Sequence, residues 1–134
     1  VPWYSEMSAR PFDQWARSYK DNSDLLTGGY IVALDGEEIA GLSQLWGSQA
    51  TDTLLYTGFT GVKRPYRQRG LATAMKVRAL QYAQTLVASD GSPPRIVTSN
   101  EESNPMLQIN LRLGFQERPA WLIYYRGQDM PRQQ

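Results

Sequence analysis

The residues of this chain best suited to chemistry lie in one short run, Arg67-Gln68-Arg69-Gly70-Leu71-Ala72-Thr73. The run follows an apolar, strand-like segment and opens a long amphipathic pattern. If that pattern is a helix from Leu71 to Leu86, its first turn leaves backbone N–H groups without intrahelical partners, and the helix dipole adds partial positive charge there. Such an end binds phosphate. Gly70 lets the backbone approach a pyrophosphate closely, Ala72 keeps a bulky side chain away from it, and Arg67 and Arg69 place cationic donors at the rim. The ligand this predicts is a nucleotide-like anion. A plain tight turn with solvated arginines is the alternative reading of the same residues. A P-loop NTPase is a poor match, because no Gly-Lys-Ser/Thr follows the turn.

Composition narrows the chemistry further. The 134 residues are enough for one domain around a single core. There is no cysteine and no histidine. Disulfides, thiolate zinc sites and Ser-His or Cys-His nucleophiles are therefore excluded, and with only carboxylates and amides as ligands no metal is expected. The formal charge of +1 argues against general affinity for nucleic acid or an anionic membrane. The cluster Lys63, Arg64, Arg67, Arg69 is basic locally, and with Tyr66 as a stacking base it leaves an RNA or nucleotide module as a further reading. No apolar run approaches a membrane span and nothing at the start resembles a signal peptide, so a cytoplasmic location is expected.

Several elements must position that run. Pro11 to Lys20 reads as a helix, with Phe12, Trp15 and Tyr19 on one stripe. Tyr30–Leu34 and Ile39–Trp46 read as antiparallel strands joined through Asp35-Gly36. Thr53–Val62 is a third strand, in which Gly58 and Gly61 suggest a bulge or a close approach by ligand. The helix from about Gly70 to Val87 carries Met75, Ala79, Tyr82 and Leu86 on one face and Lys76, Gln81 and Gln84 elsewhere. Arg95–Ser99 reads as a buried strand, and Asn104–Leu113 as a helix capped by Asn104 and stopped by Gly114. Phe115–Arg118 and Trp121–Arg126 are expected to close the sheet, with a frayed tail over 127–134. The four tryptophans, Trp3, Trp15, Trp46 and Trp121, are expected to pack in the core.

With these elements in place, the order strand, Arg-x-x-Gly-x-Ala, helix resembles the acetyl-CoA signature of the GNAT superfamily of N-acetyltransferases. A second block supports the likeness. Asn104-Pro105-Met106 followed by Asn110-Leu111-Arg112-Leu113-Gly114-Phe115 resembles the helix and Leu-Gly-Phe ending found downstream in that family. The resemblance covers roughly residues 28 to 126. It implies an α/β GNAT fold, a mixed and mostly antiparallel twisted sheet flanked by helices, within one domain spanning 1–134. It also implies direct acetyl transfer from acetyl-CoA to the primary amine of a small molecule or peptide, without metal.

The residues expected to bind the cosubstrate are Gly61, Val62, Arg67, Gln68, Arg69, Gly70, Leu71, Ala72, Thr73, Asn100 and Asn104. A backbone N–H near Gly61 or Val62 is expected to face the gap beside the Arg95 strand, where the resemblance implies that the pantetheine arm pairs like an extra strand. Asn100 and Asn104 read equally well as helix braces. An amine acceptor has to lose a proton, and Glu101 is the candidate base, with Glu102 beside it. Both also read as solvated loop carboxylates. The family often places a tyrosine four residues before the glycine of Leu-Gly-Phe, to protonate the departing thiolate. This chain has Asn110 there, which can donate a hydrogen bond but cannot deliver a proton. Tyr56, Tyr124 and Tyr125 are possible substitutes.

The amino terminus points to a further expectation. The chain begins Val1-Pro2-Trp3-Tyr4, and its first clear strand comes near Tyr30, whereas the family fold starts with a strand before its first helix. That first strand is expected to be missing, as in a processed fragment or the carboxyl-terminal half of a tandem protein of the mycothiol synthase type, preceded by another GNAT domain. Residues 1 to 10 forming an irregular edge strand is the other reading. The alternative function is a non-catalytic acyl-CoA-binding or structural half of such a tandem protein. The acceptor and the oligomeric state are not encoded in any motif.

Overall fold

The computed structural model describes residues 11–100 and 102–119. The chain divides into two compact units, Val1–Glu101 and Glu102–Gln134, and each is described by itself.

In the first unit, helix α1 (Phe12–Lys20) precedes strands β1 (Ile31–Asp35), β2 (Glu38–Trp46) and β3 (Leu54–Val62), then helix α2 (Leu71–Ala83) and strand β4 (Arg95–Val97). The strands form one sheet in the order β1-β2-β3-β4. β1 with β2 and β2 with β3 are antiparallel, and β3 with β4 is parallel. This is the expected mixed, mostly antiparallel sheet.

The β1–β2 connection is set one residue later than expected. Asp35 pairs with Glu38, so the two-residue loop is Gly36-Glu37. Gly36 has φ +59° and Glu37 stays at negative φ, the pattern of a mirror-image turn with glycine at its first central position. That turn suits the right-handed twist of the strands it joins.

The core lies between the sheet and α2. Leu45, Leu55 and Ala83 are fully buried, with Leu26, Tyr82, Leu86 and Ile96 packed around them. Small residues bring helix and sheet together: a side chain on Gly41 would meet the Met75 methyl at 3.1 Å. Lys76, expected off the apolar face, is instead buried with only 4% exposure, beside Met75, Ala79 and Ala83 on the inward side of α2. The helix also ends earlier than its periodicity suggests, at Ala83. The Thr85 N–H and hydroxyl both bond the Tyr82 carbonyl, tightening the last turn and closing the ladder.

β4 is shorter and more exposed than expected. Only Arg95–Val97 forms the strand, and Arg95 and Val97 are exposed while Ile96 is half-buried. Among the described residues it pairs on one side only, against Leu54–Tyr56, so nothing requires a continuous apolar run. α1 holds no buried residue; Phe12 is 73% and Trp15 42% exposed, against the expectation that the tryptophans pack in the core. Its stripe runs as a chain of ring contacts, Phe12–Trp15 at 5.9 Å, Trp15–Tyr19 at 4.8 Å and Tyr19–Trp46 at 5.7 Å.

In the second unit, helix α3 spans Pro105–Arg112. Asn104 caps it, its Oδ1 accepting from the Met106 N–H at 2.9 Å, and Pro105 occupies the first turn where no N–H is needed. The end is a Schellman motif. Gly114 sits at φ +93°, its N–H donates to the Leu111 carbonyl, and the Phe115 N–H donates to the Asn110 carbonyl. The Leu-Gly-Phe block thus has a structural reason for its glycine. Phe115–Arg118 does not form the expected strand: the segment has no ladder among the described residues, and Gln116, Glu117, Arg118 and Pro119 are exposed. The strand expected over 121–126, residues 1–10 on which the two readings of the amino terminus turn, Trp3, Trp121, Tyr124, Tyr125 and the tail lie outside the described residues.

Candidate cosubstrate site

The site begins where β3 loses its neighbour. β4 pairs with β3 only as far as Tyr56↔Val97, after which β3 continues to Val62 with no strand on that side among the described residues. A bulge then sets which backbone groups face that free edge. Ser43 pairs with Thr60 and Leu45 with Thr57, so Gly58 and Phe59 together oppose Gln44. Gln44 fills the bulge: its Oε1 accepts from the Phe59 N–H and from Trp46 Nε1, both at 3.2 Å, and its Nε2 donates to the Tyr19 hydroxyl at 3.4 Å.

Gly58 has the bulge role expected of it, because a Cβ there would collide with the Trp46 indole and the Gln44 amide. Gly61 does not. It stays in register opposite Leu42, and the Phe59 ring occupies the space a Cβ would take, so the close approach is by a side chain of the same strand.

Register also separates the two expected N–H donors. The Lys63 N–H donates to the Ala40 carbonyl on β2 at 2.8 Å. Alternation along an antiparallel ladder then turns Gly61 toward β2 and Val62 toward the free edge. The Val62 carbonyl agrees, since it accepts from Arg67 Nε at 2.9 Å and not from β2. Of the pair, only Val62 has its N–H on the open side, with Thr60 below it.

The loop from Val62 to α2 is held from both ends. A 3-10 turn, Arg64–Tyr66, carries Tyr66 to the β1–β2 hairpin, where its hydroxyl donates to Asp35 Oδ2 at 3.1 Å and Glu38 Oε2 at 3.2 Å. Partial loss of water, the Asp35 hydrogen bond and the two carboxylate charges raise the pKa of this phenol above 10.0. Arg69 lies over the Tyr66 ring at 6.0 Å, a cation–π contact. The exposed Lys63–Glu38 pair at 3.5 Å adds little. Two residues of the loop are left-handed, Gln68 at φ +61° and Gly70 at φ +77°. Glycine tolerates this freely, whereas glutamine is strained by it.

α2 begins immediately after Gly70, with no side-chain cap and no acidic residue in its first turn. The Ala74 N–H is the first to bond within the helix, to the Gly70 carbonyl at 3.0 Å. The N–H groups of Leu71, Ala72 and Thr73 therefore end the helix as donors without a partner among the described residues. A Cβ built on Gly70 meets nothing within 4 Å, so this end faces open space.

The structure thus brings Val62, Arg67, Gln68, Arg69, Gly70, Leu71, Ala72 and Thr73 together at the end of β3. Asn100 follows β4 in the same unit, and neither it nor Asn110 is a residue without a partner. Asn104 and Asn110 belong to α3, where Asn104 is the cap and Asn110 is 1% exposed. Glu101 lies outside the described residues, and Glu102 is exposed. Sequence reasoning missed Lys76 and Gln44, whose burial no local pattern announced. A groove of about 610 Å³ lies on the opposite flank of α2, lined by Tyr30, Val32, Arg78 and Tyr82 among others, and shares no residue with this set. Among the described residues there is no cluster able to hold a metal ion and no helix long and apolar enough to cross a membrane.

A search of curated proteins found no match. Solved structures similar to this one include a transcriptional regulator from Bacillus halodurans C-125 (19% identity, 84% of this chain and 73% of that one, TM-score 0.65). The aminoglycoside N-acetyltransferase AAC(6′)-Iy in complex with CoA is similar at 17% identity, 87% of both chains and TM-score 0.59. An aminoglycoside acetyltransferase from an uncultured soil metagenomic sample, in complex with sisomicin, is similar at 12% identity, 92% and 79% coverage and TM-score 0.66. At these identities the likeness is one of fold. The sequence profile of the Acetyltransferase (GNAT) family matches residues 1–115, the span that holds both the uncapped start of α2 and the Leu-Gly-Phe stop of α3, and the chain belongs to that family.

Proposed function

We propose that this protein is an acetyl-CoA-dependent N-acetyltransferase that moves an acetyl group to a primary amine. The observation that carries the reading is the uncapped, open N-terminus of α2 behind left-handed Gly70, directly beside the free edge of β3. The N–H groups of Leu71, Ala72 and Thr73, with the guanidinium Nη atoms of Arg67 and Arg69, suit a pyrophosphate. The Arg67 Nε contact to Val62 holds that guanidinium at the rim. Gln68 holds a left-handed φ of +61° in the turn between the two arginines. Val62 and Thr60 offer backbone groups to the amides of a pantetheine arm, and the Val62 N–H suits an oxyanion formed on attack by the amine. Bound, acetyl-CoA supplies an activated thioester; the chain's part is to hold it and to receive the amine.

Glu101 as base and Asn110 as a hydrogen-bond donor to the leaving sulfur complete the proposal, with Asn100 and Asn104 as the remaining candidates for cosubstrate binding. CoA and sisomicin in complexes of structural neighbours support a CoA donor and an amine acceptor. The second reading, a domain that binds acyl-CoA without turning it over, draws on Asn110, which cannot serve as a general acid. An RNA-binding role fits less well, because two carboxylates hold the Tyr66 hydroxyl and Arg69 covers its ring. Calorimetric titration with acetyl-CoA, CoA and ADP at matched ionic strength tests the assignment. Saturable binding that strengthens with the pantetheine arm is expected, followed by acetylation in an amine screen. Binding without turnover of any amine would favour the second reading, and no binding would refute the first.

A further inference from the structure

Lys76 is a lysine whose stem the fold has buried while giving its charge no partner. The residue is 4% exposed, and among the described residues its ammonium has no ion pair and no hydrogen-bond partner and keeps only a trace of contact with solvent. Burial lowers its pKa from 10.5. An ammonium stripped of most of its water and left without a partner is unfavourable for folding, and what solvent contact it keeps leaves it open to a ligand.

Helix geometry locates it. Met75 faces Gly41, which pairs with Val62 at the end of β3, so this turn of α2 is level with the free part of the β3 edge. One residue on, Lys76 is rotated about 100° from Met75. Tyr82, Arg78 and Gln81 line the groove on the β1 side, and the same rotation places them on the other side of Met75 from Lys76. Lys76 shares its flank with Ala83, which packs on Leu45 and Leu55. It therefore sits on the β3 side of α2, about 9 Å along the axis from Gly70.

Building on the cosubstrate reading above, we infer that Lys76 is a binding residue for the acyl-pantetheine arm, its ammonium donating to an amide carbonyl oxygen of the arm along the free edge of β3. The arm supplies the acceptor that the folded protein does not. The nucleotide end of the cosubstrate, at the start of α2, is out of its reach.

The test is calorimetric titration of wild type, Lys76→Met and Lys76→Gln with acetyl-CoA and with ADP. A charge-assisted hydrogen bond predicts that both variants bind acetyl-CoA about 10-fold to 100-fold more weakly. ADP affinity should stay within about twofold, and the Tm of Lys76→Met should hold or rise because a buried charge has been removed. Unchanged acetyl-CoA affinity in the variants, or an equal loss for both ligands, would overturn the inference while leaving the cosubstrate reading intact. Wild type that takes up neither ligand overturns that reading and this inference with it.

Discussion

Replacing Gly70 by alanine separates the conformational role of this residue from the phosphate-binding role proposed for it. An alanine at φ +77° is forced into the left-handed region, which costs about 1–2 kcal/mol. The new methyl meets nothing within 4 Å, so packing neither offsets nor adds to that cost. Reduced freedom of the unfolded chain returns about 0.4–1 kcal/mol. The net is a destabilisation of roughly 0.5–1 kcal/mol, or a Tm lowered by roughly 2–4 °C for a domain of this size. The same methyl projects into the open space before the Leu71, Ala72 and Thr73 N–H groups, and should weaken ADP and acetyl-CoA binding at least about 10-fold, the loss of one charge-assisted contact. Scanning fluorimetry and calorimetry on Gly70→Ala read the two effects separately. A small Tm change with undiminished affinity for both ligands would refute the placement of phosphate at this helix end.

Other expectations follow from the same geometry. Gln68→Gly relieves a strained φ of +61° and should stabilise the protein by about 0.5–1 kcal/mol in denaturant unfolding, with ADP affinity retained. Asn104→Ala removes the cap bond to the Met106 N–H and should cost about 1 kcal/mol; a loss of acetyl-CoA affinity beyond that seen with the capping variant Asn104→Asp would show a ligand role as well. Lys76 also gives a signed pH effect. Its folded-state pKa lies below the unfolded value, so between the two the unfolded chain binds more protons and stability rises with pH. Denaturant midpoints measured from neutral pH toward 10.5 should show this rise in wild type and its absence in Lys76→Met.

What the sequence revealed follows from how local each cause was. Gly36, Gly70 and Gly114 mark positions where the backbone turns left-handed, and Asn104 caps with its own side chain; such causes lie within four residues of their effect and are legible. The same holds for the pairing of β1 with β2 and for the run from Arg67 to Thr73. Register was not legible, because the bulge opposite Gln44 decides whether Gly61 or Val62 faces the free edge, and only cross-strand pairing fixes it. Lys76 was hidden for a related reason: a lysine reads as a surface residue until the neighbours that bury it are known. Phe115–Arg118 carried an apolar start but no ladder partner, and a strand cannot be read from one residue of promise.

The amide of Gln44 joins three elements at one point, the bulged strand through Phe59, its own strand through Trp46, and α1 through Tyr19. This makes helix and bulge a single module for engineering. Grafting α1 from a relative onto this sheet would leave the Gln44 amide without its hydroxyl and the Trp46 ring without its neighbour, so chimeras that replace α1 should exchange Tyr19, Gln44 and Trp46 as a set.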